Sequence, residues 1–594
     1  MRKSYLLLLF MSLFWHSCQR HPATNNAIEI EFDENLVILG ITKVCTEIDT
    51  AFIGNYKMTF ADTLIELYKY RGYKPFFIEE EGFASPGTLL EYLKHSSRHG
   101  INPERYNIKI LSSIADSILD TSKHTLDYEQ IAKLDFLLSD SYLRYNSDIL
   151  YGIVNPTELD SENYSIPLPK RKWDPIGNLL DSDRLELLEE IQPVNPAYVL
   201  LQKELDSLVS RQDSIRPVKI TFNEKKLEAG KHSGSLPSIV HNLRELGFLD
   251  SLYIPDPGNH YDSLLFQIVK RFQSRYGLAD DGVIGKNTID QLNISPSERI
   301  EIIKINLERM RWTTYSDSQR YILVNIPDFH VYGIENGEVK TKIKVCVGQK
   351  RERYYEERKK LYKKTNNWHH RPKNFETPQV YSRIDMIITN PPWVVPTSIA
   401  KNETYYEIMK DSTYLKRLGF KVFKGNEQID HSTVNWNEYS PNNLPFNFVQ
   451  DPGGANALGR LKFMFNNKYA IYLHDTPTRP PFATLPRAVS HGCVRVEKPL
   501  QLAEFILNGD EKLQIDDIKV EIGVKPEDKE LLDKYYANSR KKAATKMNYL
   551  SSPIPVFVDY LTAWVDQKGE LQFRPDVYEK DHILLKALKE KGAI

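Results

Sequence analysis

The stretch Ser490–Val496 constrains the fold of the C-terminal half of this chain more than any other. It reads Ser-His-Gly-Cys-Val-Arg-Val and places Cys493 directly after a glycine, while an apolar run further upstream ends at His474. A free cysteine has a pKa of roughly 8.5, so its thiol needs a base or a positive neighbour to act as a nucleophile near neutral pH. A histidine on a neighbouring strand supplies such a base. The pattern therefore predicts a fold in which a loop brings His474 back beside Cys493.

Each of these two residues also has a purely structural interpretation. A lone cysteine is usually a small buried apolar residue, and a lone histidine is usually a hydrogen-bonded polar group. The combination favours chemistry, because Gly492 allows a tight turn at the thiol and leaves backbone N–H groups free to face an oxyanion. We therefore interpret Cys493 as a nucleophile and His474 as its base.

Ser-His-Gly-Cys-Val-Arg-Val, preceded by Tyr472-Leu-His-Asp475-Thr-Pro, resembles the active-site signature of the L,D-transpeptidases, the YkuD-type enzymes that cross-link peptidoglycan. The longer features described below resemble the long, YcbB-like type. The resemblance implies that the backbone carbonyl of Asp475 orients the His474 ring, although many family members have glycine there. It also implies an oxyanion site formed by backbone N–H groups near Gly492 and Cys493, helped by the Tyr472 hydroxyl.

The remaining candidate site residues keep two interpretations each. Arg495 either binds a substrate carboxylate or supports the local backbone, and Trp393 either packs in the core or lines the substrate groove. Ser490 and His491 are expected to shape the loop rather than to transfer protons. The chemistry requires no metal or other cofactor, and no histidine–cysteine cluster has zinc spacing.

Length and composition limit the classes of protein. A chain of 594 residues predicts about three or four domains. Its formal net charge of −1 argues against a nucleic-acid partner. The four cysteines, Cys18, Cys45, Cys346 and Cys493, form no CxxC pair.

The N-terminus is typical of an export signal. Residues 1–18 combine a basic start with an apolar run that is too short to cross a membrane, and residues 19–54 then resemble a tether. Ser17-Cys18 resembles a lipoprotein cleavage site, so either Cys18 carries a lipid anchor or the segment is an ordinary signal. Both alternatives predict a periplasmic protein.

The fold class expected from the whole pattern is multidomain α+β. Helical periodicity predicts a helical domain over 55–233, similar to the scaffold domain of the long L,D-transpeptidases. The helices and glycine turns of 234–294 resemble a three-helix peptidoglycan-binding domain, which either binds glycan or acts as a spacer. An amphipathic linker helix is expected within 295–319.

Residues 320–594 are expected to form the catalytic domain, which by resemblance is a β-sandwich. Asn336-Gly337 predicts a β-hairpin. The basic insertion 351–374 either grips substrate carboxylates or forms a solvated helix or hairpin. The polar segment 398–443 resembles the family's mobile helical lid, and 525–594 resembles its closing segment.

The expected reaction is 3-3 cross-linking of peptidoglycan through a cysteinyl thioester, with release of D-alanine from a tetrapeptide donor stem. The same acyl-enzyme could instead react with water, as in an L,D-carboxypeptidase, or attach or release proteins on peptidoglycan. The expected partners are stem peptides and glycan, with a glycosyltransferase or carboxypeptidase that supplies substrate.

Overall fold

The computed structural model describes residues 32–47, 52–53, 56–78, 84–118, 126–170, 174–250, 252–255, 257–313, 315, 319–367, 370–539 and 543–594. The predicted signal, with Cys18, lies outside the described residues. The chain forms two compact units. One holds the described residues up to Leu90 together with Lys109–Ser141, and the other holds Glu91–Ile108 and Tyr142–Ile594.

The N-terminal part of the chain is mainly helical. Its elements are α1 (Glu34–Glu47), β1 (Phe52–Ile53), β2 (Tyr56–Lys57), α2 (Ala61–Tyr70), α3 (Ala84–Lys94), α4 (Ile108–Ile118) and α5 (Tyr128–Tyr151). Asp135 on α5 is fully buried and accepts hydrogen bonds from the backbone of residues 76–78 and from the Tyr68 hydroxyl. A buried carboxylate needs such partners, so this residue fixes the loop after α2 onto the helix.

Helices and three two-residue strands make up the next described part of the chain. They are α6 (Pro156–Leu159), β3 (Tyr164–Ser165), α7 (Pro175–Leu180), α8 (Leu187–Glu190), α9 (Pro196–Arg211), β4 (Lys226–Leu227), α10 (Leu236–Glu245), α11 (Ser263–Arg275), β5 (Ile284–Gly285) and α12 (Lys286–Leu292). Helices α10, α11 and α12 form the expected three-helix module. Phe272 and Leu292 lie in its core, and Gln273 accepts a hydrogen bond from Gly282 N at 2.8 Å, which holds the turn before α12.

Helix α13 (Pro296–Arg311) begins with a capping box formed by Ser295 and Glu298. It is more deeply buried than the predicted linker helix, because charged residues are also inside. Glu308 is fully buried, lies 2.5 Å from Arg311 and accepts hydrogen bonds from the backbone N–H groups of Ile153 and Val154. Helix α13 is therefore a core helix. Its sequence looks amphipathic because the buried side of the helix carries charged residues that pair with each other.

The C-terminal half contains the β-structure. Its elements are β6 (Arg320–Asn325), β7 (His330–Glu335), β8 (Glu338–Gly348), α14 (Tyr355–Thr365), β9 (Gln379–Thr389), β10 (Trp393–Val394), α15 (Thr397–Ile399), α16 (Tyr405–Lys410), α17 (Tyr414–Arg417), β11 (Phe420–Lys424), β12 (Glu427–Ile429), β13 (Phe446–Gln450), β14 (Leu461–Phe465), β15 (Leu473–His474), β16 (Ala488–Ser490), β17 (Val494–Val496), α18 (Pro499–Leu507), α19 (Ile515–Glu521), α20 (Leu532–Ser539), β18 (Lys546–Asp559), β19 (Ala563–Val565), β20 (Leu571–Phe573) and α21 (Asp581–Glu590).

One large sheet surrounds the main apolar core of this half. Its strands pair in the order β14-β15-β17-β8-β7-β6-β18-β9, and β9 pairs again with β14, so the pairing closes on itself. The strands therefore belong to one continuous sheet, and the predicted β-sandwich is not confirmed. Strand β18, from the C-terminal closing segment, pairs with both β6 and β9 and completes the circuit. The Asn336-Gly337 turn joins β7 to β8, and both residues have positive φ, as a tight hairpin requires.

Residues 393–450, named here the insertion subdomain, differ from the predicted helical lid. The α-helices lie in its first part, and its four strands form a separate sheet of order β10-β13-β11-β12. The subdomain has its own apolar cluster, which includes Leu415, Phe420 and Phe448. Its polar surface residues gave a helical pattern, but apolar side chains that alternate along β11 and β13 favour a sheet.

The basic insertion 351–374 forms the charged helix α14, which has no buried residues. Before this helix, Arg351 pairs with Asp160 at 2.9 Å and with Glu376 at 3.3 Å. Arg351 therefore binds the protein itself. Within the described ranges, no helix combines the length and apolarity that a membrane span needs, and no group of three or more metal-ligating side chains comes together.

Candidate active site

Three neighbouring strands bring the predicted site residues together. In the pairing of β14 with β15, Lys462 lies opposite His474, and in the parallel pairing of β15 with β17, His474 lies opposite Arg495. Directly paired residues project from the same face of a sheet, with Cβ atoms about 5 Å apart. Lys462, His474 and Arg495 therefore form a row across the sheet, named here the cationic row.

Cys493 lies immediately before β17, at the end of a turn that requires glycine. Gly492 has a φ of 115°, which L side chains rarely adopt. The Ser490 hydroxyl closes the turn, because it accepts a hydrogen bond from Gly492 N at 3.1 Å and donates one to Cys493 O at 2.6 Å. Ser490 is buried, so these bonds are shielded from water.

A buried network holds the other side of this turn. The Thr377 hydroxyl donates to Gly492 O and accepts from Gly348 N, both at 2.8 Å. The Tyr578 hydroxyl accepts from Thr377 N at 3.1 Å and donates to Gly348 O at 2.7 Å. Gly348 has no room for a side chain, because a Cβ atom there would lie 1.7 Å from Phe375 O. The turn that carries the Cys493 thiol is therefore held to the sheet by a fixed set of hydrogen bonds.

The environment of the Cys493 sulfur combines opposing effects on its pKa. Burial raises the pKa, whereas hydrogen bonds from the backbone and side chain of Tyr472, and the charges of Lys462 and Arg495, lower it. Of the three cysteines within the described residues, only Cys493 is partly exposed. Burial raises the pKa of Cys45 and of Cys346 to about 11. Cys493 is thus the one described thiol that has both access and groups that favour its thiolate.

His474 is buried and held in one orientation. Its Nδ1 lies 2.5 Å from the backbone oxygen of Asp475, which can only accept, so Nδ1 carries the proton and Nε2 is free to act as a base. The Asp475 carboxylate accepts hydrogen bonds from Arg460 N and Thr476 N, and pairs with Arg479 at 2.7 Å. Burial lowers the pKa of His474 to about 3, assisted by Arg495 and Lys462. The imidazole is therefore neutral at physiological pH.

Cys493 and His474 do not form a direct hydrogen bond in the described part of the chain. The strand register places Tyr472 level with Cys493 and His474 two positions further along the same strand. Residues in such a diagonal relation lie about 7 to 8 Å apart, with their Cβ atoms somewhat closer. A reacting group can therefore lie between the thiol and the imidazole.

The predicted oxyanion donors differ in availability. The N–H of Gly492 is bonded to Ser490, whereas that of Cys493 has no hydrogen-bond partner among the residues the structure covers. Tyr472 lowers the pKa of the Cys493 thiol, and burial raises the pKa of this tyrosine. Cys493 N–H is therefore the donor that is free to bind a developing oxyanion.

His491 connects the nucleophile turn to the insertion subdomain. Its Nε2 lies 2.5 Å from the Glu403 carboxylate, and its ring packs against Phe375. The hydrogen bond to His491 is the main cause that lowers the pKa of Glu403. Trp393 is half-buried and packs against the apolar cluster of the insertion subdomain, near Phe420, which favours its packing interpretation.

The sequence interpretation assigned no role to four residues at this site: Lys462, Thr377, Tyr578 and Glu403. The alternation of β14 could have placed Lys462 on the polar face, since Leu461 and Phe463 beside it are buried. The other three reach the site only through tertiary contacts.

Three family models match the chain. Residues 319–522 match the YkuD family, described as an L,D-transpeptidase catalytic domain. Residues 62–205 match a family described as a scaffold domain, and residues 236–292 match one described as "Putative peptidoglycan binding domain".

A curated relative from Haemophilus influenzae, named "Putative L,D-transpeptidase", is 28% identical over 316 residues. The match covers 51% of this chain and 54% of the relative, so the chain spans about half the length of that protein.

Two solved structures are also similar. The L,D-transpeptidase of Xylanimonas cellulosilytica has 15% identity and a TM-score of 0.17, over 49% of this chain and 94% of its own. That of Stackebrandtia nassauensis has 13% identity and a TM-score of 0.19, over 48% and 92%. Scores this low carry no argument about the fold. The family models and the curated relative agree, and the chain is similar to the L,D-transpeptidases, with regions that match a YkuD-type catalytic domain, a scaffold domain and a peptidoglycan-binding domain.

Proposed function

We propose that this protein forms 3-3 peptidoglycan cross-links through a thioester on Cys493, with His474 as the base. The observation that carries the proposal is the cationic row beside the Cys493 turn. It places an imidazole with a free Nε2 on the strand adjacent to the one accessible described thiol. The matched domains imply peptidoglycan as the substrate.

In the first half-reaction, His474 Nε2 takes the proton from the Cys493 thiol. The sulfur attacks the carbonyl carbon between diaminopimelate (or its analogue) and the terminal D-alanine of a tetrapeptide stem. The C–N bond then breaks, the leaving nitrogen takes the proton from His474, and a thioester remains.

In the second half-reaction, the amine of an acceptor stem attacks the thioester carbonyl and gives a proton to His474. The C–S bond breaks, and the sulfur takes this proton back. Enzyme and protons are restored, and the net change is one amide bond exchanged for another.

The resting pair is a neutral thiol and a neutral imidazole. The raised pKa of Cys493 and the lowered pKa of His474 both oppose an ion pair in the free enzyme. Proton transfer is therefore coupled to substrate binding, and Tyr472 stabilises the thiolate as it forms. Cys493 N–H binds the oxyanion, and losing one such donor typically costs about 3 kcal/mol of transition-state stabilisation.

Arg495 is proposed to bind a substrate carboxylate, because it makes no hydrogen bond or ion pair with the described residues. Gly492, Ser490 and His491 are proposed to shape the nucleophile turn, and Trp393 to support the insertion subdomain. Domains that act on peptidoglycan indicate an extracytoplasmic location, and we place the protein in the periplasm. Anchoring through Cys18 and supply of substrate by a glycosyltransferase or carboxypeptidase extend the proposal.

Analysis of muropeptide products tests this function. The full chain is incubated with disaccharide-tetrapeptide substrates, and the products are identified by mass spectrometry. We expect a cross-linked dimer that has lost one D-alanine, absent with Cys493→Ala and retained with the control Cys346→Ala. Tripeptide without dimer would indicate an L,D-carboxypeptidase, and dimer formed by Cys493→Ala would exclude Cys493 as the nucleophile.

A further inference from the structure

Two cations of the cationic row flank the proposed base, and neither forms an ion pair with a carboxylate of the described residues. Lys462 lies opposite His474 on one side and Arg495 on the other. Both are half-buried. Within the described residues, neither makes a hydrogen bond or an ion pair, and the closest interaction of Lys462 is with the Tyr472 ring, 3.8 Å from Nζ to the ring centroid.

This arrangement is unfavourable in the absence of a ligand. A cation that is partly removed from water loses hydration, and that loss is compensated when an anion binds to it. Burial lowers the pKa of Lys462, and a negative charge at Cys493 raises it again. Two such cations on either side of one imidazole are the pattern expected where an anionic group of the substrate binds.

We propose that Lys462 and Arg495 form a carboxylate-binding site beside His474. This site binds the carboxylate that shares a carbon atom with the reacting nitrogen. That nitrogen is the leaving one in the first half-reaction and the attacking one in the second. The inference rests on the proposed function, because that function defines which nitrogen faces His474. Lys462 is thereby assigned as a second substrate-binding residue in addition to Arg495.

The chemistry of the two half-reactions supports one shared site. The leaving D-alanine has an amine and a carboxylate on the same carbon. The attacking amine of an acceptor diaminopimelate also has a carboxylate on the same carbon. In both cases the carboxylate lies within about 4 Å of the nitrogen, as fixed by bond lengths. A nitrogen at His474 Nε2 therefore brings its carboxylate within reach of the cations on the adjacent strands.

Binding of this carboxylate also affects the base. The cations that act on His474 are Arg495 from β17 and Lys462 from β14, and the ring of Tyr472 lies 5.5 Å from the imidazole, between ring centroids. The two cations disfavour a protonated imidazole, and a bound carboxylate offsets them. The substrate therefore supplies the charge that lets His474 hold a proton.

Acceptor selectivity tests the proposal directly. The acyl-enzyme of the full chain is formed from a tetrapeptide donor and partitioned between isotopically labelled D-alanine and D-alaninamide. The two amide products are quantified by mass spectrometry, in which the label separates the D-alanine product from the unlabelled donor. We expect the free acid to be preferred on the order of 10- to 100-fold, the range of one charge-assisted hydrogen bond. Lys462→Met, which keeps the unbranched stem over Tyr472, should reduce this preference about tenfold, and Lys462→Arg should retain most of it.

The outcomes separate this inference from the proposed function. Failure of the wild-type chain to form a thioester on Cys493 would contradict the function itself. Thioester formation by folded Lys462→Met, with a preference equal to that of the wild type, would show that Lys462 does not bind the carboxylate. A purely structural Lys462 would change the rates with both acceptors equally and leave their ratio unchanged, which would also overturn the proposal.

Discussion

Replacing Thr377 by valine tests whether the buried network positions the Cys493 turn. The substitution keeps the shape of the side chain and removes one hydroxyl. It leaves the N–H of Gly348 and the carbonyl of Gly492 buried without their partner. Each such group costs about 1 to 3 kcal/mol when it stays unsatisfied, so we expect a local destabilisation of about 3 kcal/mol.

The matched control is Thr377→Ser, which keeps the hydroxyl and loses only a methyl group. Losing one buried methyl costs about 1 kcal/mol. The loss of the two hydrogen bonds should therefore exceed the loss of the methyl group, and Thr377→Val should be less stable than Thr377→Ser by about 2 kcal/mol.

Two measurements report this difference. Hydrogen exchange followed by mass spectrometry should show faster exchange in the peptide around Gly492 in Thr377→Val than in Thr377→Ser. The kcat/KM for dimer formation should also fall, on the order of 10- to 100-fold, because small displacements of a reacting group are costly. Equal exchange and equal kcat/KM in the two variants would refute the positioning role of the network.

Further predictions concern the base, its pKa and the insertion subdomain. His474→Ala should lower kcat/KM by about 10² or more, whereas His491→Ala should cost less; the reverse order, measured in the same product assay, would identify His491 as the base. Burial lowers the pKa of His474 to about 3, and the residue acts unprotonated, so the kcat/KM of the free enzyme should stay flat between pH 7 and pH 5. An ordinary histidine pKa of 6.5 would instead lower kcat/KM by roughly 30-fold at pH 5, and such a loss would contradict this prediction. Replacing residues 393–450 by a two- or three-residue glycine–serine linker should leave the catalytic unit folded, because the Trp393–Gln450 pairing brings the ends together. The products should shift from dimer towards hydrolysed tripeptide. An unchanged dimer-to-tripeptide ratio would show that the subdomain does not exclude water.

Local chemistry explains why part of the site could be predicted from the sequence. Gly492 and Cys493 belong to one turn whose glycine carries an obligatory positive φ, and His474 ends a short apolar strand. Such features are visible in a few consecutive residues. The hairpin at Asn336-Gly337 is visible for the same reason, because two adjacent residues with positive φ define the turn.

Contacts between distant segments could not be predicted in this way. Tyr578 donates a hydrogen bond to Gly348, although most of the catalytic domain's sequence separates the two residues. Glu403, in the insertion subdomain, pairs with His491. The closed sheet depends on β18, whose pairing with β6 joins segments far apart in the chain. No local pattern specifies such pairings, and the expected β-sandwich came from the family resemblance alone.

The most direct test of the central claim is to trap the acyl-enzyme. The full chain is mixed with a tetrapeptide donor without an acceptor, quenched in acid, and examined by intact mass and peptide mapping. We expect an adduct equal to the stem without its terminal D-alanine, attached at Cys493 and absent in Cys493→Ala. An adduct on Cys346 or Cys45, or turnover of the donor by Cys493→Ala, would contradict it.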